Sequence, residues 1–296
     1  MKIEVFGKKF DEDETVIRLN KKGIDKIPDL SGFKKLKLLD LSNNNISKIE
    51  GLKCLSNLEE LNLSRNNISK LENLETLVNL KTLTLFENNI SIIEHLEKLI
   101  QLESLGLYDN NIRVIENLEV LVNLMSLNLS SNKIEKIEKL QKLNNLKALY
   151  LESNQIRKIS GLEKCKNIHG LFLDNNLLKE LDFGLLPSSI GVLFLKDNNI
   201  VKLFKPKNKL QTLDTLHLAG NPLKVIEYIE CLPNLLSISI NGKAVTSISK
   251  NSYEFIKRKQ ETEDVMFSPF YLFTTKTTAR KDIDAFVKQK KIAIIN

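Results

Sequence analysis

Reactive side chains are scarce in this sequence. It contains three histidines and three cysteines. It lacks the H-E-x-x-H, C-x-x-C, G-x-S-x-G, G-x-x-x-x-G-K-[ST] and G-x-G-x-x-G motifs, which place catalytic, metal-binding or phosphate-binding groups. The three cysteines, Cys54, Cys165 and Cys231, lie far apart in the sequence. We interpret them as small apolar residues of a protein in a reducing compartment. We therefore expect no enzyme, no metal site and no cofactor.

Long apolar segments are missing as well. No run of about 18 apolar residues, the length that spans a bilayer, occurs in the chain. The first residues, MKIEVFGKKFDEDE, are too highly charged for a signal peptide. These absences predict a cytoplasmic and/or nuclear protein that is neither secreted nor inserted in a membrane.

What the sequence has instead is a 22-residue repeat. Its skeleton, L-x-x-L-x-L-x-x-N-x-I-x-x-I-x-x-L-x-x-L-x-x, is clearest in residues 102–123, and its first residue recurs every 22 residues from Leu36 to Ile190. Positions within a repeat are numbered from this residue. The ninth position is asparagine in nine repeats: Asn44, Asn66, Asn88, Asn110, Asn132, Asn154, Asn176, Asn198 and Asn221.

Each part of the skeleton has a physical reading. The leucines at positions four and six alternate with an outward residue at position five, as in a short β-strand. The chain reversal that follows leaves backbone groups in need of partners, and a stacked column of side-chain amides can supply them. We therefore expect the nine asparagines to be a structural ladder and not a binding site.

The pattern is typical of the leucine-rich repeat, in which stacked units bury a shared core. The 22-residue length and the I-x-x-I-E-x-L return segment resemble the leucine-rich regulatory subunit of protein phosphatase 1 and related intracellular repeat proteins, over roughly residues 14–245. The resemblance implies an α/β solenoid, a leucine-rich-repeat horseshoe of about 11 repeats. A parallel sheet would form its concave face, and short 3-10 or helical returns its convex face.

The ends of the repeat region are less regular. Residues 1–13 are expected to form a leader that caps the core, and residues 14–245 the repeat domain. Its last part, about residues 213–245, resembles the C-terminal cap of these proteins in Asn221-Pro222-Leu223 and Tyr228, although the family's basic residue after that tyrosine is replaced here by Ile229. The cap is expected to close the second end of the core.

A basic tail, residues 246–296, follows the cap with a net charge of +4. Helices over Ser252–Met266 and after a capping Thr278 are one alternative for this tail, and disorder is the other. In the second helix, Ala279, Ile283, Phe286 and Val287 would share one face.

Outward residues of the strands carry the functional prediction, because they contribute nothing to the core. The charged residues at positions three, five, seven and eight are Asp40, Glu60, Arg65, Glu87, Asp109, Glu152, Asp174, Lys196 and Asp197, a net charge of −5. Tyr150, Phe172 and Phe194 occupy position five of successive repeats, followed by His217, and Phe86 and Tyr108 occupy position seven. Contiguous aromatic groups on a surface usually mark an interaction site.

We therefore predict a non-catalytic protein-protein interaction scaffold that binds a partner on its concave face. The partner-binding residues expected are Phe86, Tyr108, Asp109, Tyr150, Glu152, Phe172, Asp174, Phe194, Asp197 and His217. Their acidity predicts a partner with a basic patch and disfavours nucleic acid on this face. We expect a monomer apart from this partner.

The resemblance implies a phosphatase 1-type catalytic subunit as the first candidate partner. Two alternatives stay open. One is a ribonucleoprotein component similar to the spliceosomal A-prime protein, which would need a basic docking surface, and the other is an axonemal or ciliary repeat adaptor.

Overall fold

The computed structural model describes residues 2–240, 243–262, 266–268 and 283–296. The chain divides into two compact units, residues 1–150 and residues 151–296.

The first unit begins with an antiparallel hairpin of strands β1 (Lys2–Val5) and β2 (Lys8–Asp11). The ring of Phe10 in β2 meets the ring of the fully buried Phe33 edge-on, with 6.1 Å between centroids. Ile3 of β1 packs on Gly32, where an added Cβ would lie 2.3 Å from the Ile3 Cδ1. The hairpin therefore covers apolar side chains of the first repeat.

Short parallel strands follow, one in each repeat. They are β3 (Val16–Arg18), β4 (Leu38–Asp40), β5 (Glu60–Asn62), β6 (Thr82–Thr84), β7 (Ser104–Gly106), β8 (Ser126–Asn128) and β9 (Ala148–Tyr150). Neighbouring strands pair in register, so that Leu39 lies opposite Leu61 and Leu61 opposite Leu83. The middle residue of each strand is buried. The residues at positions three, five, seven and eight form the other surface of the sheet, called here the open face.

Return segments of the first unit are built from tight turns. The N–H of Leu55 donates to the carbonyl of Leu52 at 3.0 Å, and the N–H of Leu77 donates to that of Leu74 at the same distance. These are hydrogen bonds to the third residue back, the pattern of a 3-10 turn. The parallel sheet and the short 3-10 returns expected of a leucine-rich repeat are thus confirmed.

Asparagines at position nine join the repeats within each unit. The Oδ1 of Asn66 accepts the N–H of Ile46 in the preceding repeat at 2.9 Å. Its Nδ2 donates to the carbonyls of Leu63 in its own repeat and Leu41 in the preceding one, at 3.0 and 3.1 Å. In the second unit Asn198 bonds in the same way to Leu178, Leu195 and Leu173. Each amide therefore satisfies backbone groups of two repeats.

The first repeat has Lys22 where the asparagine would be. Its backbone is nevertheless satisfied, because the N–H groups of Lys22 and Ile24 both donate to the Oδ1 of Asn44, at 2.9 and 3.1 Å. The first repeat thus uses the amide of its successor.

The second unit continues the pattern with additional elements. Its main parallel sheet consists of β10 (Gly170–Phe172), β12 (Val192–Phe194), β14 (Thr215–Leu218), β16 (Ser237–Ile240) and β18 (Met266–Ser268), in that order. Two returns pair as a second small sheet of β11 (Glu180–Asp182) and β13 (Lys202–Phe204), and a 3-10 helix, η1 (Phe183–Leu185), follows β11. A third parallel sheet contains β15 (Val225–Ile226), β17 (Ser247–Ser249) and β19 (Ala293–Ile295).

Helices occur in the predicted basic tail. Helix α1 (Lys250–Thr262) begins two residues before the start of the predicted segment and ends four residues before its end. Helix α2 (Ile283–Lys290) contains Ile283 and Phe286, both buried. The proposed cap Thr278 and the neighbouring Ala279 lie outside the described residues.

A buried serine attaches helix α1 to the 3-10 helix η2 (Ile229–Cys231). The hydroxyl of Ser252 donates to the Glu230 Oε2 at 2.7 Å and accepts the N–H of Ile229 at 3.1 Å. Ile229 itself is fully buried, which explains an apolar residue where the family has a basic one.

Candidate functional site

Three aromatic side chains lie side by side on the open face of the second unit. Phe172, Phe194 and His217 are the position-five residues of three successive strands, and the sheet pairs Phe172 with Phe194 and Phe194 with His217. The rings of Phe172 and Phe194 meet edge-on at 5.2 Å between centroids, and Phe194 stacks on the imidazole of His217 at 4.2 Å. All three are half-buried. We call these three residues the aromatic cluster.

Burial lowers the pKa of His217 below its usual value of 6.5. A lowered pKa means that the imidazole is predominantly neutral at pH 7. A neutral ring stacks on Phe194 without exposing a charge, so the cluster presents a continuous aromatic surface.

Carboxylates adjoin the aromatic cluster. The pKa of Asp174 is raised from 3.8 to about 6, mainly by burial; the negative charges of Glu152 and Asp197 also raise it, and the backbone N–H and the charge of Lys196 lower it. That N–H donates to the Asp174 Oδ1 at 2.7 Å. The Lys196 ammonium lies 3.5 Å from the Asp197 carboxylate. Three carboxylates and one lysine therefore share this part of the face.

In much of the first unit, the position-five side chain stabilises the turn of its own repeat. There the Oδ1 atoms of Asp40, Asn62 and Asn128 each accept the backbone N–H two residues on, at 2.9 to 3.0 Å. This is the turn-stabilising bond that Asp and Asn commonly make. A phenylalanine cannot accept such a bond.

Two repeats without Asp or Asn at position five receive the missing acceptor from the repeat before. Asp174 supplies it to Lys196 in the repeat of Phe194. Ser64 supplies it to Phe86, whose N–H donates to the serine Oγ at 3.2 Å. The position-five residues of these repeats thus lack a local capping group, and a neighbouring side chain compensates.

A second aromatic pair lies on the open face of the first unit. Phe86 and Tyr108 meet edge-on at 6.0 Å between centroids, and Tyr108 is 37% exposed. The ring of Phe86 covers Gly106, where an added Cβ would lie 2.3 Å from the ring carbon Cε1. The absence of a side chain at Gly106 is what allows this ring to lie on the sheet.

The remaining predicted site residues lie in several places. Asp109 is exposed and Tyr150 is half-buried, both in the first unit, and Asp109 has a left-handed backbone with φ of 54°. Arg65, one of the two basic residues predicted on this face, pairs with Glu87 at 2.9 Å. Both basic residues are therefore neutralised by an adjacent carboxylate, and acidic groups dominate the face.

The few reactive groups are dispersed. Burial raises the pKa of Cys165 to about 11 and also raises that of Cys231, which keeps both thiols protonated and poorly nucleophilic. Within the described part of the chain, no three His, Cys, Asp or Glu residues are arranged to hold a metal ion. None of the described helices has the length and apolarity needed to cross a bilayer.

One charged feature was not predicted from the sequence as a site. Lys205, Lys207 and Lys209 lie on a return of the second unit and face Arg258 and Lys259 of α1 across a cleft. The alternating lysines of KPKNK were the available signal, but their proximity to α1 depends on how the tail folds back.

Comparisons with known proteins agree with this architecture. A family model described as leucine rich repeat matches residues 15–68 and 100–156, and a second, described as leucine rich repeats in two copies, matches residues 56–98 and 144–185. No curated protein matches the chain.

Solved structures give the same result. The chain resembles an internalin (inlF) from Listeria monocytogenes with 21% identity and a TM-score of 0.69, over 95% of this chain and 88% of that one. It also resembles a plant peptide hormone receptor, RGFR1 in complex with RGF2, with 26% identity and a TM-score of 0.58, over 75% of this chain and 38% of the receptor. The two leucine-rich-repeat family models together match residues 15–98 and 100–185, more than half of the sequence, and show that the chain belongs to the leucine-rich-repeat proteins.

Proposed function

We propose that this protein is a non-catalytic scaffold that binds a protein partner through the open face of its sheet. The aromatic cluster carries this proposal. Phe172 and Phe194 stand at a position where other repeats use Asp or Asn to stabilise their own turn. Half-buried rings on short, paired strands offer a large contact area at little cost in conformational entropy, and such rings commonly dominate binding energy.

The charge of the open face supports a basic partner. Glu152, Asp174 and Asp197 adjoin the cluster, and Lys196, the basic residue among them, pairs with Asp197. Aromatic anchors surrounded by charges of one sign are the composition of an interface centre and its steering rim. A partner with a positive patch complements this surface.

A phosphatase 1-type catalytic subunit remains the first candidate partner, on the sequence resemblance alone. The resemblance is incomplete, because Thr84 and Gly106 occupy position five in the early repeats and the tail has no basic-Val-x-Phe docking motif. The receptor structure in complex with RGF2 supports the broader proposal that repeats of this kind bind polypeptides. Cytoplasmic or nuclear location is part of the same proposal.

Variants of the open face test the proposal even before a partner has been identified. Wild type, Phe194→Ala and the return-segment control Lys158→Ala would serve as baits in parallel affinity captures read by mass spectrometry. We expect a protein retained by wild type and Lys158→Ala to be lost or reduced with Phe194→Ala. Titration of the purified partner should then show a loss of about 2 kcal/mol in binding free energy.

The fold of each bait is the necessary check. Phe194 does not line the core, so its removal should leave the unfolding midpoint close to that of wild type. Equal capture by all three baits, or global unfolding of Phe194→Ala, would refute the assignment of this face as the binding surface.

A further inference from the structure

A cleft of about 750 Å³ lies in the second unit, between a return segment and helix α1. Lys205, Lys207 and Lys209 form one side, and Arg258 and Lys259 form part of the other. Pro206, Cys231 and Phe255, all buried, lie along its floor. None of these residues belongs to the open face, so the cleft is a second surface in addition to the one proposed above.

Among the described residues that line the cleft, basic side chains outnumber acidic ones. Five basic residues line it against two acidic ones, Glu230 and Glu254. Glu230 is already engaged, because its Oε2 accepts the hydroxyl of Ser252 at 2.7 Å. Across residues 2–240, 243–262, 266–268 and 283–296, no carboxylate lies within salt-bridge distance of the three lysines. Within the described part of the chain, these three exposed ammonium groups have no ion pair that an anionic ligand would have to break.

The floor and walls of the cleft indicate what kind of anion fits. Its floor is apolar, and the side-chain amides of Asn208 and Asn251 on its walls can bond to a peptide main chain. Sites for single-stranded nucleic acid stack bases on accessible aromatic rings. Phe255, the aromatic residue that lines this cleft, is only 7% exposed and therefore offers no such platform.

We propose that this cleft binds a short acidic peptide segment of a partner protein. Its carboxylates would pair with Lys205, Lys207 and Lys209, and an apolar side chain would lie in the cleft beside Pro206. Charge complementarity of this kind increases association rate and selects the partner.

Fluorescence anisotropy with the full-length protein tests the proposal. The probe is a labelled peptide of alternating glutamate and leucine, compared with the same peptide carrying lysine for glutamate. We expect the glutamate peptide alone to bind, with affinity falling as ionic strength rises. Lys207→Glu and Arg258→Glu should each weaken binding about tenfold.

Matched variants distinguish this site from general attraction and from the open face. Lys158→Glu makes the same charge change on another return, and Phe194→Ala removes an aromatic anchor; both should bind the peptide like wild type. Lys207→Gln removes the charge without reversing it and should give a smaller loss, which provides a second reading if a reversal variant fails to fold.

Three results would overturn the proposal. The first is an equal loss of affinity in Lys158→Glu and Lys207→Glu, because attraction would then depend on total charge. The second is tighter binding of polyuridylate than of the peptide with the same dependence on Lys207, which would identify a nucleic-acid site. The third is no binding of the glutamate peptide even at low ionic strength.

Discussion

The amide of Asn88 shows how much depends on one side chain. Its Oδ1 accepts the N–H of Ile68 at 3.0 Å, and its Nδ2 donates to the carbonyls of Leu63 and Leu85 at 3.0 and 3.1 Å. Because Asn88→Ala leaves these buried groups unpaired, we expect it to lower the free energy of unfolding by about 1 to 3 kcal/mol. Urea denaturation followed by circular dichroism measures this change.

The matched control is the next residue. Asn89 is exposed and joins the structure through its backbone N–H, which donates to Ile68. Asn89→Ala should therefore unfold at nearly the urea concentration of wild type. Indistinguishable midpoints for the two variants would contradict the role given to the ladder.

The raised pKa of Asp174 predicts how the stability of the folded protein changes with pH. Its pKa is about 6 in the folded protein against an ordinary 3.8, so the folded state holds this proton more tightly than the unfolded chain does. Its contribution to stability is therefore largest below pH 3.8 and is lost as pH rises to about 6. Asp174→Asn removes the charge but keeps an oxygen that can accept the N–H of Lys196.

We expect Asp174→Asn to gain stability relative to wild type as pH rises through this window. Urea unfolding of both proteins at a series of pH values measures the difference. If the difference is constant across the window, burial of the Asp174 carboxylate does not have the assigned effect.

Position five illustrates what the repeat pattern can and cannot predict. The pattern predicted which leucines point inward, because core positions obey the 22-residue period. It could not tell Asp40, which accepts a backbone N–H of its own turn, from an acidic residue available to a partner. That distinction depends on side-chain orientation. For the same reason the pattern did not reveal that Gly106 makes room for the ring of Phe86.

The hydroxyl of Ser252 is expected to stabilise the contact between helix α1 and η2. Ser252 is fully buried where α1 meets η2, and it accepts the N–H of Ile229. Ser252→Ala should leave this N–H without a partner and destabilise the contact by about 1 to 3 kcal/mol. Hydrogen exchange should then increase in α1 and η2 more than in the strands of the main sheet.

The neighbouring Asn251 provides the control, because it is exposed on the same turn of α1. Asn251→Ala should leave the exchange rates of η2 unchanged. Uniformly faster exchange throughout the second unit in Ser252→Ala would instead mean that α1 is not a separate local element.

The elements hardest to predict lie outside the regular repeat. Strands β11 and β13 are not among them, because Glu180 pairs with Lys202 at the 22-residue spacing of the repeat. Strand β17 pairs with β19, and the two are separated by α1 and α2 along the chain. Local periodicity contains no information about this pairing, because its register is set by packing of distant segments.

The charge of the complete chain is +7, although the open face is acidic. Because the open face is acidic, its attraction to a basic partner should be screened by salt. We expect the association rate constant of the captured partner to fall as ionic strength rises, with dissociation changing less. Stopped-flow mixing at several salt concentrations measures both.

A variant that lacks one carboxylate tests directly whether the acidic residues steer association. Glu152→Gln should slow association and reduce its salt dependence, whereas Lys158→Gln on a return segment should have a much smaller effect. Association that is indifferent to salt in wild type would mean that the carboxylates do not steer the partner.

The direction of the asparagine ladder has a consequence for how the protein is made. Each asparagine Oδ1 accepts a backbone N–H of the repeat before it, as Asn66 does for Ile46 and Asn88 for Ile68. On the ribosome, which adds about 5 to 20 residues per second, the following repeat arrives one to four seconds later, on the order of the time for 22 residues. Until then the newest repeat has an unpaired donor. While the repeats are being made, a nascent chain of this protein therefore carries an unfinished repeat at its growing end, and the repeats already made can close behind it.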